Sequence, residues 1–250
     1  MTSTLLDTLT PDYPFEEGLV LPIDKPLGWT STDVVRKVRT LMRKLGHRKI
    51  KVGHAGTLDP LATGVLLVCV GRATKRVDEL QTEEKEYLAD IELGATTPSF
   101  DLEHPVDAHY PWEHITAPQI ETALHSLEGE QEQEPPRYSA KKLEGRRAYE
   151  YAREGEEVQM RKALITIYSA HVESCSLPES PRITVRIACS KGTYIRSFAR
   201  DLGERLGSGA HLTALRRTRS GGYRAEACIT LDDLQHRLFP KIGERETNPA

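Results

Sequence analysis

The sequence predicts an α+β chain built on a mixed, largely antiparallel sheet flanked by helices and loops. Three observations carry this expectation. Several segments alternate apolar and polar residues with period two, as half-buried strands do. Others space apolar residues three and four apart, as amphipathic helices do. The two kinds mix without strict strand–helix–strand alternation, and no glycine-rich phosphate loop is present, so a nucleotide cofactor is not indicated.

Taken in order, residues 1–18 read as a loose N-terminal arm. Leu19 to Ile23 is a short strand entering the turn Asp24-Lys25-Pro26-Leu27-Gly28. Ser31-Thr32-Asp33 offers helix N-caps. The stripe Val34, Val35, Val38, Leu41, Met42 and Leu45 follows, and Gly46 ends it. Lys51 to Leu61 has no period and reads as a loop. The run Val65 to Val70 is a buried strand. Tyr87, Ala89, Ile91 and Leu93 alternate with mostly charged residues, as in a half-buried strand ending at Gly94. Pro118 to Glu128 has helical spacing. Residues 131–155 are polar, basic and aromatic, and read as a protruding segment with a helix near Arg146 to Arg153. Strands are expected at Leu164 to Cys175 and Ile183 to Cys189, and a helix at Tyr194 to Leu206. Arg224 to Phe239 suggests one last strand and a short helix. The stretch 241–250 reads as a frayed tail. One catalytic domain over residues 19–240 is the expected organisation.

Hydrophobic residues make up 38% and charged residues 28% of the 250, which suits an ordinary globular protein. The longest apolar run, Gly64 to Gly71, is far too short to span a bilayer. No basic segment followed by an apolar stretch opens the chain, so a cytoplasmic location is expected. Cys69, Cys175, Cys189 and Cys228 lack metal-ligand spacing and read as reduced thiols. The histidines form no metal cluster, since His104, His109 and His114 have the wrong spacing for one helix face.

The net charge of −3 argues weakly against nucleic acid, but the distribution argues for it. Arg36, Lys37, Arg39, Arg43, Lys44, Arg48, Lys49 and Lys51 run without an acidic residue among them. Arg137, Lys141, Lys142, Arg146 and Arg147 form a second basic stretch. Lys191 to Arg219 holds a third. One such run is usually a solvated helix face. Three of them, apart from the acidic segments, point to a polyanion.

The sharpest segment is Gly53-His54-Ala55-Gly56-Thr57-Leu58-Asp59-Pro60-Leu61-Ala62-Thr63-Gly64-Val65-Leu66. It is a glycine-punctuated loop presenting one carboxylate, with a buried strand behind it. Pro60 restricts Asp59 to extended backbone. A scaffolded loop is a common seat for reactive groups. By these features alone Asp59-Pro60 is more often a plain turn.

The segment is similar, almost letter for letter, to the catalytic motif of the TruB family of pseudouridine synthases. Further resemblance lies in Ile23 to Ser31, Lys85 to Gly94, Pro135 to Lys142, Gly145 to Gly155, Lys191 to Arg196 and Leu215 to Gly221, all in the family's order. The resemblance implies the pseudouridine synthase fold. It implies an isomerase that converts uridine to pseudouridine in the T loop of tRNA, at position 55 of the TΨC arm, by base flipping. It assigns the nucleophile to Asp59, a paired arginine to Arg196, and a base-stacking general base to Tyr87. Apart from that context, Arg196 would read as a surface helix residue and Tyr87 as a core tyrosine. His54 matches the position that enters the T loop, although a lone histidine is usually structural. Lys25 is expected to contact RNA or to buttress the catalytic loop, and Pro26 to set that turn. Arg43, Lys141, Arg146 and Arg147 are the candidate RNA contacts, the last three in an RNA-clasping insertion over 131–155. No cofactor is implied, because uridine and pseudouridine have the same composition. A monomer needing no protein partner is expected. The residues after Gly221 are too few for the PUA domain that many members carry.

Two rivals remain at this stage. One is a non-catalytic RNA-binding or tRNA-folding module of the same fold. The other is a base-excising glycosidase, which usually needs a second carboxylate.

Overall fold

The computed structural model describes residues 9–139, 142–143, 146–147, 151 and 160–240. Within the span expected as one domain, the chain forms two compact units, Met1–Glu83 with Arg217–Ala250, and Glu84–Arg216. The first unit is therefore assembled from both ends of the sequence. The expected frayed tail lies outside the described residues.

Of the expected loose arm, residues 1–8 lie outside the described residues, and the part from Leu9 onward is packed. Leu9 and Phe15 are buried, and Phe15 lies in a 3-10 turn over Phe15–Glu17. Strand β1 (Leu19–Lys25) leads to helix α1 (Ser31–Lys44). The N-cap is Thr30, one residue before the expected caps, and it forms a reciprocal capping box with Asp33. Val34, Val35, Val38, Leu41 and Met42 are buried along the stripe the sequence shows. Next comes β2 (Val52–Ala55), a strand where a loop was expected. A strand with Gly53 and two half-buried positions carries no readable period. Strand β3 (Ala62–Val70) lies antiparallel to β1, with Leu19 opposite Val70 and Lys25 opposite Gly64. Its residues 67–70 also pair with β2. Val65, Leu67 and Cys69 share one core with Val20, Ala55, Leu80 and Ala225. A 3-10 helix over Gly71–Arg76 and helix α2 (Val77–Thr82) close this stretch.

In the second unit, β4 (Lys85–Leu93) buries every second residue, Tyr87, Ala89, Ile91 and Leu93 among them. A short pair, β5 (Ala95–Thr96) and β6 (Ala108–His109), precedes helix α3 (Ala117–His125). Strand β7 (Gly129–Gln133) then joins the sheet. This corrects the expected protruding segment at its start. The expected helix near Arg146 to Arg153 is corrected at its start, where β8 (Lys142–Leu143) and β9 (Arg146–Arg147) pair as a small hairpin, while Tyr151 is helical. Lys141 lies outside the described residues. Strands β10 (Ala163–Cys175) and β11 (Arg182–Cys189) pair antiparallel. Helix α4 (Ile195–Arg205) follows, then β12 (Ala210–Ser220), which the sequence reading missed. The strand order within this unit is β12–β4–β11–β10–β7.

Residues 217–220 of β12 belong to the first unit, whose order is β1–β3–β12. Strand β13 (Tyr223–Arg224) turns back on β12, and α5 (Leu231–Leu238) follows, capped by Thr230. Lys37 Nζ on α1 donates to Gln235 Oε1 on α5 at 2.7 Å. Among the described residues no disulfide forms, and Cys69 and Cys189 are buried. Among the described residues no helix is long and apolar enough to cross a membrane.

Candidate catalytic loop and nucleic-acid interface

The loop between β2 and β3 is held through its main chain. Arg217 Nη2 donates to the Gly56 carbonyl at 3.1 Å and Nη1 to the Thr57 carbonyl at 3.4 Å. Ser31 Oγ accepts from Leu58 N at 2.8 Å and donates to the Leu58 carbonyl at 3.0 Å. The Asp59 carbonyl accepts from Ala62 N at 3.1 Å. The Pro60 carbonyl accepts from Lys25 Nζ at 3.3 Å and from Gly28 N at 2.9 Å. Every carbonyl from Gly56 to Pro60 thus has a donor, and three side chains from β1, α1 and β12 supply most of them. Leu58 is buried while Asp59 is partly exposed, so the loop keeps its apolar anchor inside.

Lys25 lies beneath this loop with none of its surface exposed. Its ammonium also donates to the Trp29 carbonyl at 2.6 Å and the Pro26 carbonyl at 2.9 Å. Its ammonium is thus taken up by the carbonyls of the turn and of the Asp59 loop. Burial pushes its pKa down from 10.5 to about 8; the charge of Asp59 opposes the fall and that of Arg217 adds to it. Pro26 is half-buried in the same turn.

His54 sits on β2, half-buried. Burial holds its pKa below the ordinary histidine range, and the Arg217 charge adds to the depression, against a smaller opposing effect of a hydrogen bond with the Gly56 backbone. The ring therefore favours its neutral form. Arg43 is exposed on α1. It lines an open basic groove of about 710 Å³ with Arg39, Arg48, Lys49 and Lys51.

In the second unit, Tyr87 keeps only 8% of its surface exposed, on the face it shares with Ala89 and Ile91. Arg196 stands in the first turn of α4 and is 4% exposed. Its Nη1 donates to the Tyr138 carbonyl at 3.0 Å and the Ser99 carbonyl at 3.4 Å. Its Nε lies 3.7 Å from Oδ2 of buried Asp101. The start of α4 is pinned by Gln133, whose amide accepts from Tyr194 N at 2.8 Å and donates to the Tyr194 carbonyl at 3.1 Å. The His104 and Tyr138 rings pack with centroids 4.2 Å apart. Arg146 and Arg147 form β9.

Within the first unit Lys25 holds the Pro60 carbonyl next to Asp59, and within the second Arg196 lies beside Asp101. Sequence reading missed Arg217, Ser31, Asp101 and Gln133 as site residues. The first two lie inside quoted motifs, but a buried arginine in a basic run looks like any surface arginine, and Ser31 looks like a cap. Nothing in the sequence marks Asp101 or Gln133. Among the described residues no group of three His, Cys, Asp or Glu side chains could hold a metal ion.

A family model described as TruB family pseudouridylate synthase (N terminal domain) matches residues 42–195. One described as tRNA pseudouridylate synthase B C-terminal domain matches residues 196–246. The tRNA pseudouridine synthase B of Phocaeicola vulgatus is 56% identical over 235 residues, 94% of this chain and 99% of the relative. The protein of that name from Parabacteroides distasonis is 52% identical over 236 residues, 93% of this chain and 99% of its own. Among solved structures, a chain in the crystal structure of a Cbf5-Nop10-Gar1 complex is similar with a TM-score of 0.68 and 30% identity over 92% of this chain, which spans 57% of that chain. A structure of an H/ACA RNP bound to a substrate RNA containing 2'-deoxyuridine gives 0.65, 28% and 92%, with 56% of that chain spanned.

Proposed function

The chain belongs to the TruB family of pseudouridylate synthases, and from that premise we propose that it isomerises one uridine in the T arm of tRNA, at position 55, with Asp59 as nucleophile. The observation that carries this reading is the place of Asp59, a partly exposed residue, on a loop whose carbonyls are held from Gly56 to Pro60. A nucleophile must be aimed, and reacting atoms must be placed within a few tenths of an ångström of the productive geometry.

The bond from ribose C1′ to N1 of uracil breaks, the base turns, C5 bonds to C1′, and the C5 proton is lost while N1 gains one. Composition is unchanged, so no redox equivalent or energy donor enters. Asp59 adds to C6 of the base or to C1′, or assists a glycal path. The family resemblance supports Arg196 as the arginine that keeps the nucleophile ionised, and Tyr87 as the residue that stacks on the base and takes the C5 proton. The target base starts stacked inside its loop, and extruding it costs a few kcal/mol. The neutral ring of His54 fills the space the base leaves. The Arg43 groove takes RNA phosphates, which position the substrate without reading sequence.

Nucleotide-resolution mapping of pseudouridine on an unmodified tRNA transcript tests this. One new modification in the T loop is expected. Asp59→Asn should keep fold and tRNA binding and lose turnover by several orders of magnitude. Turnover near wild type in that variant would sink the nucleophile assignment. Binding without modification would favour a tRNA-folding module, and free uracil in the supernatant a glycosidase.

A further inference from the structure

We infer that Arg217 is a positioning residue for Asp59, a buried fork that sets the path of the catalytic loop on both sides of the carboxylate; this rests on the reading of Asp59 as nucleophile. Arg217 is 1% exposed. Besides the Gly56 and Thr57 carbonyls ahead of Asp59, its Nε donates to the Val65 carbonyl behind it at 2.6 Å. One rigid planar group therefore grips both arms of the loop, across more than 150 residues of sequence. The loop is shaped to receive it. A Cβ at Gly64, where φ is +96°, would overlap the Arg217 carbonyl. A Cβ at Gly56 would stand 3.6 Å from Arg217 Nη1, in simple contact.

A buried guanidinium is costly to desolvate, and the cost is met only by good hydrogen bonds on its fixed donors. Anchoring a surface loop does not require a charge. A charge buried here, with Lys25 under the same loop, sets two cations around the segment that carries one carboxylate. Lysine in place of Arg217 keeps the charge but presents no fork, so it cannot span Gly56, Thr57 and Val65 together. The loop then settles onto a shifted path, and Asp59 with it.

The test is single-turnover pseudouridine formation on tRNA, run beside tRNA affinity by filter binding and thermal melting. For Arg217→Lys the expected result is a rate loss of about 100-fold with affinity changed less than about twofold, since a misplacement of an ångström costs that much in rate. A general loss of stability would not split rate from binding in this way. Leu234→Ala, in the buried face of α5, serves as the stability control and should keep its rate at a comparable melting loss. Arg217→Gln, which retains a donor without the charge, is the second variant if Arg217→Lys does not fold, and the same criteria apply. A rate within about threefold of wild type in the folded variant overturns the inference, as does a rate loss matched by Leu234→Ala. If Asp59→Asn is inactive while Arg217→Lys is active, only the positioning role fails. If Asp59→Asn is itself active, the nucleophile reading fails whatever Arg217 does.

Discussion

Lys25 shows how a side chain that looks like a surface cation becomes an internal fixture. Its ammonium lies on three carbonyls, and burial lowers its pKa from 10.5 to about 8. Below pH 8 the folded and unfolded chains both carry the proton, and the cost of burying the charge is present in full. Between pH 8 and 10.5 the unfolded chain keeps the proton and the folded chain releases it. The unfolded state then binds more protons, so this group makes the fold more stable as pH rises through that window. Denaturant unfolding of wild type and Lys25→Met from pH 7.5 to 10 checks this. The wild-type stability should rise relative to the variant above pH 8, and parallel curves would show that Lys25 does not titrate there. The Lys25 charge opposes that of Asp59 at neutral pH, and Arg217 competes with it, so the three form one electrostatic unit.

Among the elements, those legible in the sequence are the ones whose burial follows a simple period. Helix α1, β3, β4, β11 and α4 bury the residues that their spacing selects. Apart from the two-residue strands β5, β6, β8 and β9, three strands escaped for physical reasons. Gly-His in β2 offers no pattern. Strand β7 reads Gly-Glu-Gln-Glu-Gln because it pairs only with β10 and leaves most of its side chains in solvent. Strand β12 carries arginines that a propensity argument places outside, yet Arg217 is among the largest fully buried side chains. Tertiary hydrogen bonds override local preference in each case. The motif around Asp59 was visible at once; the side chains that hold it were not, because they lie far off in sequence. The element-scale prediction falls on β3. Gly64→Ala forces a left-handed backbone on alanine and drives its Cβ into β12. A loss of about 3 kcal/mol or more is expected by denaturant unfolding. A loss below about 1 kcal/mol would mean that the two strands can part at this point.

Across the whole molecule, net charge and local charge point in opposite directions. The chain totals −3, yet Arg39, Arg43, Arg48, Lys49 and Lys51 converge on one groove. A polyanion responds to the local field and releases counterions as it binds. tRNA affinity should therefore fall steeply between 50 and 200 mM salt. Arg43→Gln should weaken binding evenly across tRNAs and flatten the log–log salt slope by about one, measured by filter binding. An unchanged slope would remove Arg43 from the phosphate path. The tally of basic and acidic residues alone would have hidden this surface, whereas their order along the chain revealed it.

The carbonyls on either side of Asp59 wait on a guanidinium made more than 150 residues later. During synthesis, the Gly56–Leu61 stretch leaves the ribosome long before residue 217 does, and chains fold as they emerge. If Asp59 is the nucleophile proposed above, a nascent chain carries that carboxylate early and gains the group that aims it only when translation is nearly finished. On that reading, products ending before Arg217 lack the group that aims Asp59, and the order of synthesis itself keeps half-made copies from modifying RNA.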